Sequence, residues 1–133
     1  MHRNLVRPAL IAAAIGLTSI ALAACGSSED APQGAKTMSF TLTDAGCVPN
    51  AAKAPAGPIV FEVENAGTSK VNEFEVLDGE TILGEVENLS DGFSGTFSLT
   101  LEAGEYVLYC PGGEDERGTL TVSGDAKAQG DQP

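Results

Sequence analysis

Histidine is almost missing from this chain. Of 133 residues only one is His, at position 2, and Trp is absent. His2 lies in an N-terminal segment that reads as removable, so the mature protein is expected to hold no imidazole. That excludes proton shuttling by His, nucleophiles activated by His, and metal centres that require imidazole ligands. Basic residues are scarce too: seven Lys and Arg stand against nineteen Asp and Glu. So acidic a surface repels nucleic acid, which is not expected as a partner. No phosphate-binding loop is present, and the candidate bases are carboxylates with no paired nucleophile. No catalytic residue is assigned, and the chain is not expected to be an enzyme.

The first segment, "MHRNLVRPALIAAAIGLTSIALAAC", has a basic start at Arg3 and Arg7 and a run of small or apolar residues from Ala9 to Ala24. This is the plan of an export signal, too short for a membrane-spanning helix with stop-transfer flanks. It closes on "LAAC", Leu22 to Cys25, which resembles the bacterial lipobox. Residues 1–24 are therefore read as a lipoprotein signal peptide and Cys25 as the lipidation site. Several acyl chains would anchor the mature chain stably in the bilayer, at the extracytoplasmic (periplasmic) face of the cell membrane. Residues 25–36 are rich in Gly, Ser, Pro and charge and read as a flexible tether. Cleavage removes both signal arginines, leaving five basic groups against nineteen acids and a formal charge of −14.

Helical periodicity is missing from the rest of the chain. Residues 37–124 instead alternate with period two. "TMSFTLT" sets Met38, Phe40 and Leu42 against Thr and Ser. "PIVFEVEN" puts Ile59, Phe61 and Val63 on one face with Glu62 and Glu64 on the other. Further strands are expected at 72–78, 81–88, 93–101, 105–110 and 118–124, separated by turns such as "NAGTS", "LDGE", "LSDG" and "CPGG". Seven short strands argue for one antiparallel, all-β sandwich with Greek-key connections. Tyr106 reads as a core or corner tyrosine, and Asn65, Asn72 and Asn88 as residues flanking turns. The polar stretch 125–133 is expected to be a disordered tail.

Two cysteines remain beyond Cys25: Cys47 and Cys110. In an oxidising compartment an even pair suggests a disulfide, here joining the end of the first strand to the end of the sixth.

"GEYVLYC" (104–110) with the closing "GTLTV" (118–122) resembles the last two strands of cupredoxins. "DAGCVPN" (44–50), "AGPIVFEVENAG" (56–67), "NEFEVLDGETILGEVENL" (72–89), "GEYVLYCPG" (104–112) and "GTLTVSG" (118–124) together resemble the cupredoxin-like domain of the EfeO family of iron-uptake lipoproteins. The resemblance runs through the whole domain but not into the large helical domain of full-length members. It implies a cupredoxin-like sandwich that binds copper or iron as an accessory to iron uptake. A separate permease or helical iron-binding protein would then be its partner.

A type 1 copper site is excluded, because it needs two imidazoles. The resemblance implies another ligand set: Cys47, Glu73 and Cys110. Two thiolates suit copper or zinc, and a carboxylate adds affinity for harder ions, including iron. Against Glu73 stands the strand pattern. Phe74 and Val76 take the buried face, so Glu73 and Glu75 turn outward unless a bulge intervenes. Glu105 lies on the face opposite Cys110 and is not a candidate. The loop Glu114, Asp115 and Glu116 could supply an oxygen donor, or be simply solvated. Metal ligation and a Cys47–Cys110 bridge remain open alternatives. The second makes the domain a stapled protein-interaction module without metal. One expectation is testable from the sequence alone. Globomycin should leave the precursor unprocessed, whereas normal maturation in its presence would reject the lipobox.

Overall fold

The computed structural model describes residues 31–124. The signal segment, Cys25, most of the tether and the tail lie outside the described residues. Among those described, no helix is long and apolar enough to cross a membrane. Ala35 N donates to Pro32 O at 3.0 Å in a turn, and the first strand begins directly after it.

Among the described residues nine strands form: β1 (Lys36–Thr43), β2 (Gly46–Val48), β3 (Ala51–Pro55), β4 (Gly57–Asn65), β5 (Phe74–Asp78), β6 (Thr81–Val86), β7 (Ser94–Leu101), β8 (Gly104–Tyr109) and β9 (Arg117–Ser123). They make a four-stranded sheet in the order β2-β1-β4-β7 and a five-stranded sheet in the order β3-β9-β8-β5-β6. β2 and β3 are the two strands beyond the seven expected. One is three residues long and the other reads "AAKAP", a composition depleted in strands generally.

The sandwich is not wholly antiparallel: β1 pairs with β4, and β3 with β9, in parallel. The short strands explain this. After the β1–β2 hairpin, β3 carries the chain to the other sheet, and β4 returns beside β1 running in β1's direction.

Period-two alternation fills the space between the sheets. Phe40, Leu42, Ile59, Phe61, Val63, Phe74, Val76, Leu108, Leu120 and Val122 are all buried. The aromatic rings meet near the middle, Phe40 with Phe74 at 4.8 Å between centroids and Phe61 with Phe97 at 4.9 Å. Burying each such side chain stabilises the fold by roughly 1.5–3 kcal/mol. Gly84 on β6 lets the sheets close at one edge, since an added Cβ would sit 2.7 Å from the Phe97 ring. Tyr106 is a corner tyrosine, its hydroxyl donating to Glu102 O at 3.0 Å.

Cys47 and Cys110 are joined in a disulfide, with Cα atoms 5.6 Å apart and a sequence separation of 63. The bond links β2 of one sheet to the residue after β8 of the other, and both cysteines are buried. In the chain-entropy model, closing a loop of that length stabilises the fold by about 4 kcal/mol. A Cys47→Ala/Cys110→Ala double variant should accordingly lose about 2–4 kcal/mol of unfolding free energy in urea. A loss below about 0.5 kcal/mol, within the range of neutral surface changes, would mean that the bond does not constrain the mature domain.

Candidate metal centre

Among the described residues, the outer face of the five-stranded sheet carries a group of acids that could share a cation. β5 buries Phe74 and Val76 inward, so Glu75 projects to the outside. Across the sheet, Glu75 lies opposite Glu85 of β6 on one side and Tyr109 of β8 on the other. Tyr109 in turn lies opposite Arg117 of β9. Glu73 immediately precedes β5 and Glu87 immediately follows β6. Extending the Phe74–Val86 register by one step brings these two acids face to face.

A β-bulge sets this arrangement. From the turn, Asp78 pairs with Thr81 and Leu77 with Ile82. Between Leu77 and Val76 the register shifts, and Val76 pairs with Gly84. Leu83 is the extra residue on β6. Without the shift, Phe74 would stand opposite Glu85 and turn its carboxylate into the core. With it, Gly84 faces inward against Phe97, and Glu85 and Glu87 join Glu73 and Glu75 outside. A one-residue slip exchanges the two faces of a strand.

Carboxylate oxygens of Glu73, Glu85 and Glu87 all lie within 4.8 Å of one another. Glu75 adjoins them, only 6% exposed although it is on the outward side of its strand. Its hydrogen-bonding neighbour is another carboxyl, that of Glu73, and neither ion pair among the described residues involves it. Arg117 is the basic group in the same cross-strand row. Its guanidinium lies 4.9 Å from the centre of the Tyr109 ring and 3.3 Å from Glu80 Oε2. Burial first, then the hydrogen bond to Glu73, then the charges of Glu73, Glu85 and Glu87 push the Glu75 carboxyl up from 4.5 to about 7.

The donor set consists of oxygen atoms with negative charge, which suits hard cations. A six-coordinate cation with metal–oxygen distances of about 2.1 Å places its ligand oxygens roughly 3–4.2 Å apart. Carboxylate oxygens already within 4.8 Å of one another reach that range by side-chain rotation. The residues thus fit a small hard cation in both chemistry and spacing.

The ligand set inferred from resemblance divides differently. Cys47 and Cys110 are bonded to each other, so neither is a thiolate in this state. Glu73 stands instead with Glu85 and Glu87. The acidic loop serves the fold. Glu114 N and Asp115 N donate to Asp44 O and Ala45 O at 3.1 and 2.8 Å. Glu116 accepts from Gly112 N at 2.9 Å.

Sequence reasoning missed Glu75, Glu85 and Glu87 as site residues. The signal available was the repeated acid spacing "EFE" and "EVE" on neighbouring strands. Simple counting back from the turn, however, puts Glu85 on the wrong face, because the bulge leaves no mark in the alternation.

The chain belongs to the cupredoxin-like domain family, whose sequence profile matches residues 14–122. Within that class it is similar to iron uptake system component EfeO. Identity is 35% over 122 residues with the Yersinia pseudotuberculosis protein, covering 92% of this chain and 31% of that one. It is 33% over 132 residues with the Escherichia coli K12 protein, covering 99% and 33%. The chain thus spans about a third of the length of these relatives.

Among solved structures, it superposes on reduced auracyanin from Roseiflexus castenholzii with a TM-score of 0.58 at 17% identity, covering 67% of this chain and 98% of that one. Auracyanin A, a blue copper protein from Chloroflexus aurantiacus, gives 0.56 at 16%, covering 68% and 100%. At these identities the likeness is one of fold.

The raised carboxyl of Glu75 has a consequence for stability in the metal-free protein. The folded state binds this proton more tightly than the unfolded chain does. The contribution is therefore present in full below about pH 4.5 and is lost as pH rises through about 7. In the presence of a chelator, the midpoint of thermal unfolding should fall between pH 5 and pH 8, and Glu75→Gln should flatten that fall. An unchanged slope in the variant would show that Glu75 titrates in its ordinary range.

Proposed function

We propose that this chain is a membrane-anchored, extracytoplasmic module that captures iron and hands it on as an accessory to iron uptake. The observation that carries this reading is the group of three carboxylates within 4.8 Å, backed by the buried Glu75. Mutual repulsion among them favours an added cation, and an all-oxygen donor set favours a hard one such as ferric iron. Similarity to relatives named as iron uptake components points to the same cargo.

Copper, the other expected ion, has little support at this site. The mature chain would offer no imidazole, and its paired sulfurs are bonded. An acyl anchor on Cys25 would hold the module at the membrane surface, within reach of a permease or a helical iron-binding partner. The role is binding and delivery, without a catalytic step. The bonded cysteines are also compatible with a metal-free interaction module, and metal titration separates the two readings.

Terbium(III), a hard trivalent probe, should bind the full mature chain in detergent, with luminescence sensitised through nearby Tyr109. A Glu85→Gln/Glu87→Gln double variant should lose at least about tenfold in affinity, the scale seen even for groups behind the ligands in metal sites. A Cys47→Ser/Cys110→Ser variant that remains folded should bind within about threefold of wild type, a difference of less than about 1 kcal/mol. Equal binding by wild type and the glutamine variant would leave the metal-free interaction module as the reading.

A further inference from the structure

Asn65 is a buried polar side chain at the end of a core face. The inward face of β4 runs Ile59, Phe61, Val63 and then Asn65, which has 0% of its surface exposed. An amide at that core position must find partners for all its polar atoms. Its Nδ2 donates to Thr68 O at 3.0 Å, Val71 O at 3.3 Å and Leu89 O at 2.7 Å. Its Oδ1 accepts from Gly67 N at 3.1 Å and Thr68 N at 3.0 Å. The Asn65 backbone adds two bonds, from its N to Phe93 O at 2.9 Å and from Gly92 N to its O at 2.8 Å.

These partners lie on two segments. One, 66–72, leads directly into Glu73. The other, 88–93, leaves directly from Glu87. Leu89 N donates to Asn72 O at 2.9 Å, tying the two segments at the residues next to the site. Between Glu87 and Leu89 the chain turns through Asn88, whose φ of 55° lies in the left-handed region. That turn delivers the Leu89 carbonyl to the Asn65 amide. Thr68 tightens the first segment, its hydroxyl accepting from Lys70 N at 3.0 Å and Val71 N at 3.3 Å.

Glu73 and Glu87 repel each other, and both lie just beyond the ends of paired strands, where the ladder no longer fixes their separation. We infer that Asn65 is the positioning residue of this site: its buried amide fixes the 66–72 and 88–93 segments together and so sets Glu73 against Glu87. The inference rests on the carboxylate site proposed for iron. In the sequence Asn65 reads as a residue beside a turn; the structure gives it a second task.

The test is terbium(III) titration of the full mature chain carrying Asn65→Asp. This change keeps an acceptor for Gly67 N and Thr68 N but replaces the NH2 that donates to Thr68 O, Val71 O and Leu89 O with a second carboxyl oxygen. Affinity is expected to fall by about 10–100-fold, as for other groups that orient metal ligands. Luminescence lifetimes in H2O and D2O should show about one more water on the bound ion, filling the place of a displaced carboxylate. Native circular dichroism and an intact disulfide establish that the variant is folded.

Should the variant not fold, the wild-type chain supplies the reading. On adding lanthanum(III), the Asn65 side-chain NH2 resonances should shift together with the backbone amides of Glu73 and Glu87. Wild-type affinity and hydration in a folded Asn65→Asp chain would overturn the inference. So would Asn65 NH2 resonances that stay fixed while those of Glu73 and Glu87 move. If the wild-type chain binds no lanthanide, the site reading itself fails, and the inference fails with it. If wild type binds and Glu85→Gln/Glu87→Gln does not, the site stands, and the Asn65 result then decides the positioning role alone.

Discussion

The register shift between Val76 and Leu77 governs what this domain presents to solvent. A strand has two faces, and one inserted residue exchanges them. Leu83 is that residue. Because it is there, Gly84 faces the sandwich interior, where the Phe97 ring leaves no room for a side chain. For the same reason Glu85 and Glu87 emerge beside Glu73 and Glu75 rather than entering the core. Packing and charge agree on this register. Without the shift, a carboxylate would be buried next to Phe74, at a cost of several kcal/mol unless neutralised.

The gathered acids would separate if their supports were loose. Two kinds of support hold them. Strand pairing fixes Glu75 against Glu85, and the buried Asn65 amide joins the segments that carry Glu73 and Glu87. Below them lies an aromatic core, and a disulfide from β2 to the end of β8 holds the two sheets together. The bonded sulfurs lie at one end of the sandwich, on β2 and just after β8. In this chain the sulfurs are bonded to each other and brace the two sheets, while the carboxylates gather on the outer face of one sheet.

Much of the fold was legible in the sequence. The alternation of Phe40 with Leu42, of Ile59 with Phe61 and Val63, and of Phe74 with Val76 marked the buried faces correctly. β2 and β3 escaped notice because three residues, or a run of alanines, show no period. The two parallel pairings followed from those hidden strands. The site was less legible. The outward direction of Glu73 could be read from Phe74 and Val76, but its neighbours could not, because a bulge depends on packing against Phe97. Asn65 read only as a residue flanking a turn, because one of the carbonyls that take up its amide, that of Leu89, comes from a distant part of the chain.

The iron proposed for this chain is held by oxygen atoms from one sheet face. X-ray absorption at the iron edge of the ferric-loaded, disulfide-intact chain tests it most directly. The expected result is a first shell of oxygen at about 2.0–2.2 Å with no sulfur scatterer; a sulfur shell near about 2.3 Å would contradict it and return the ion to the cysteines.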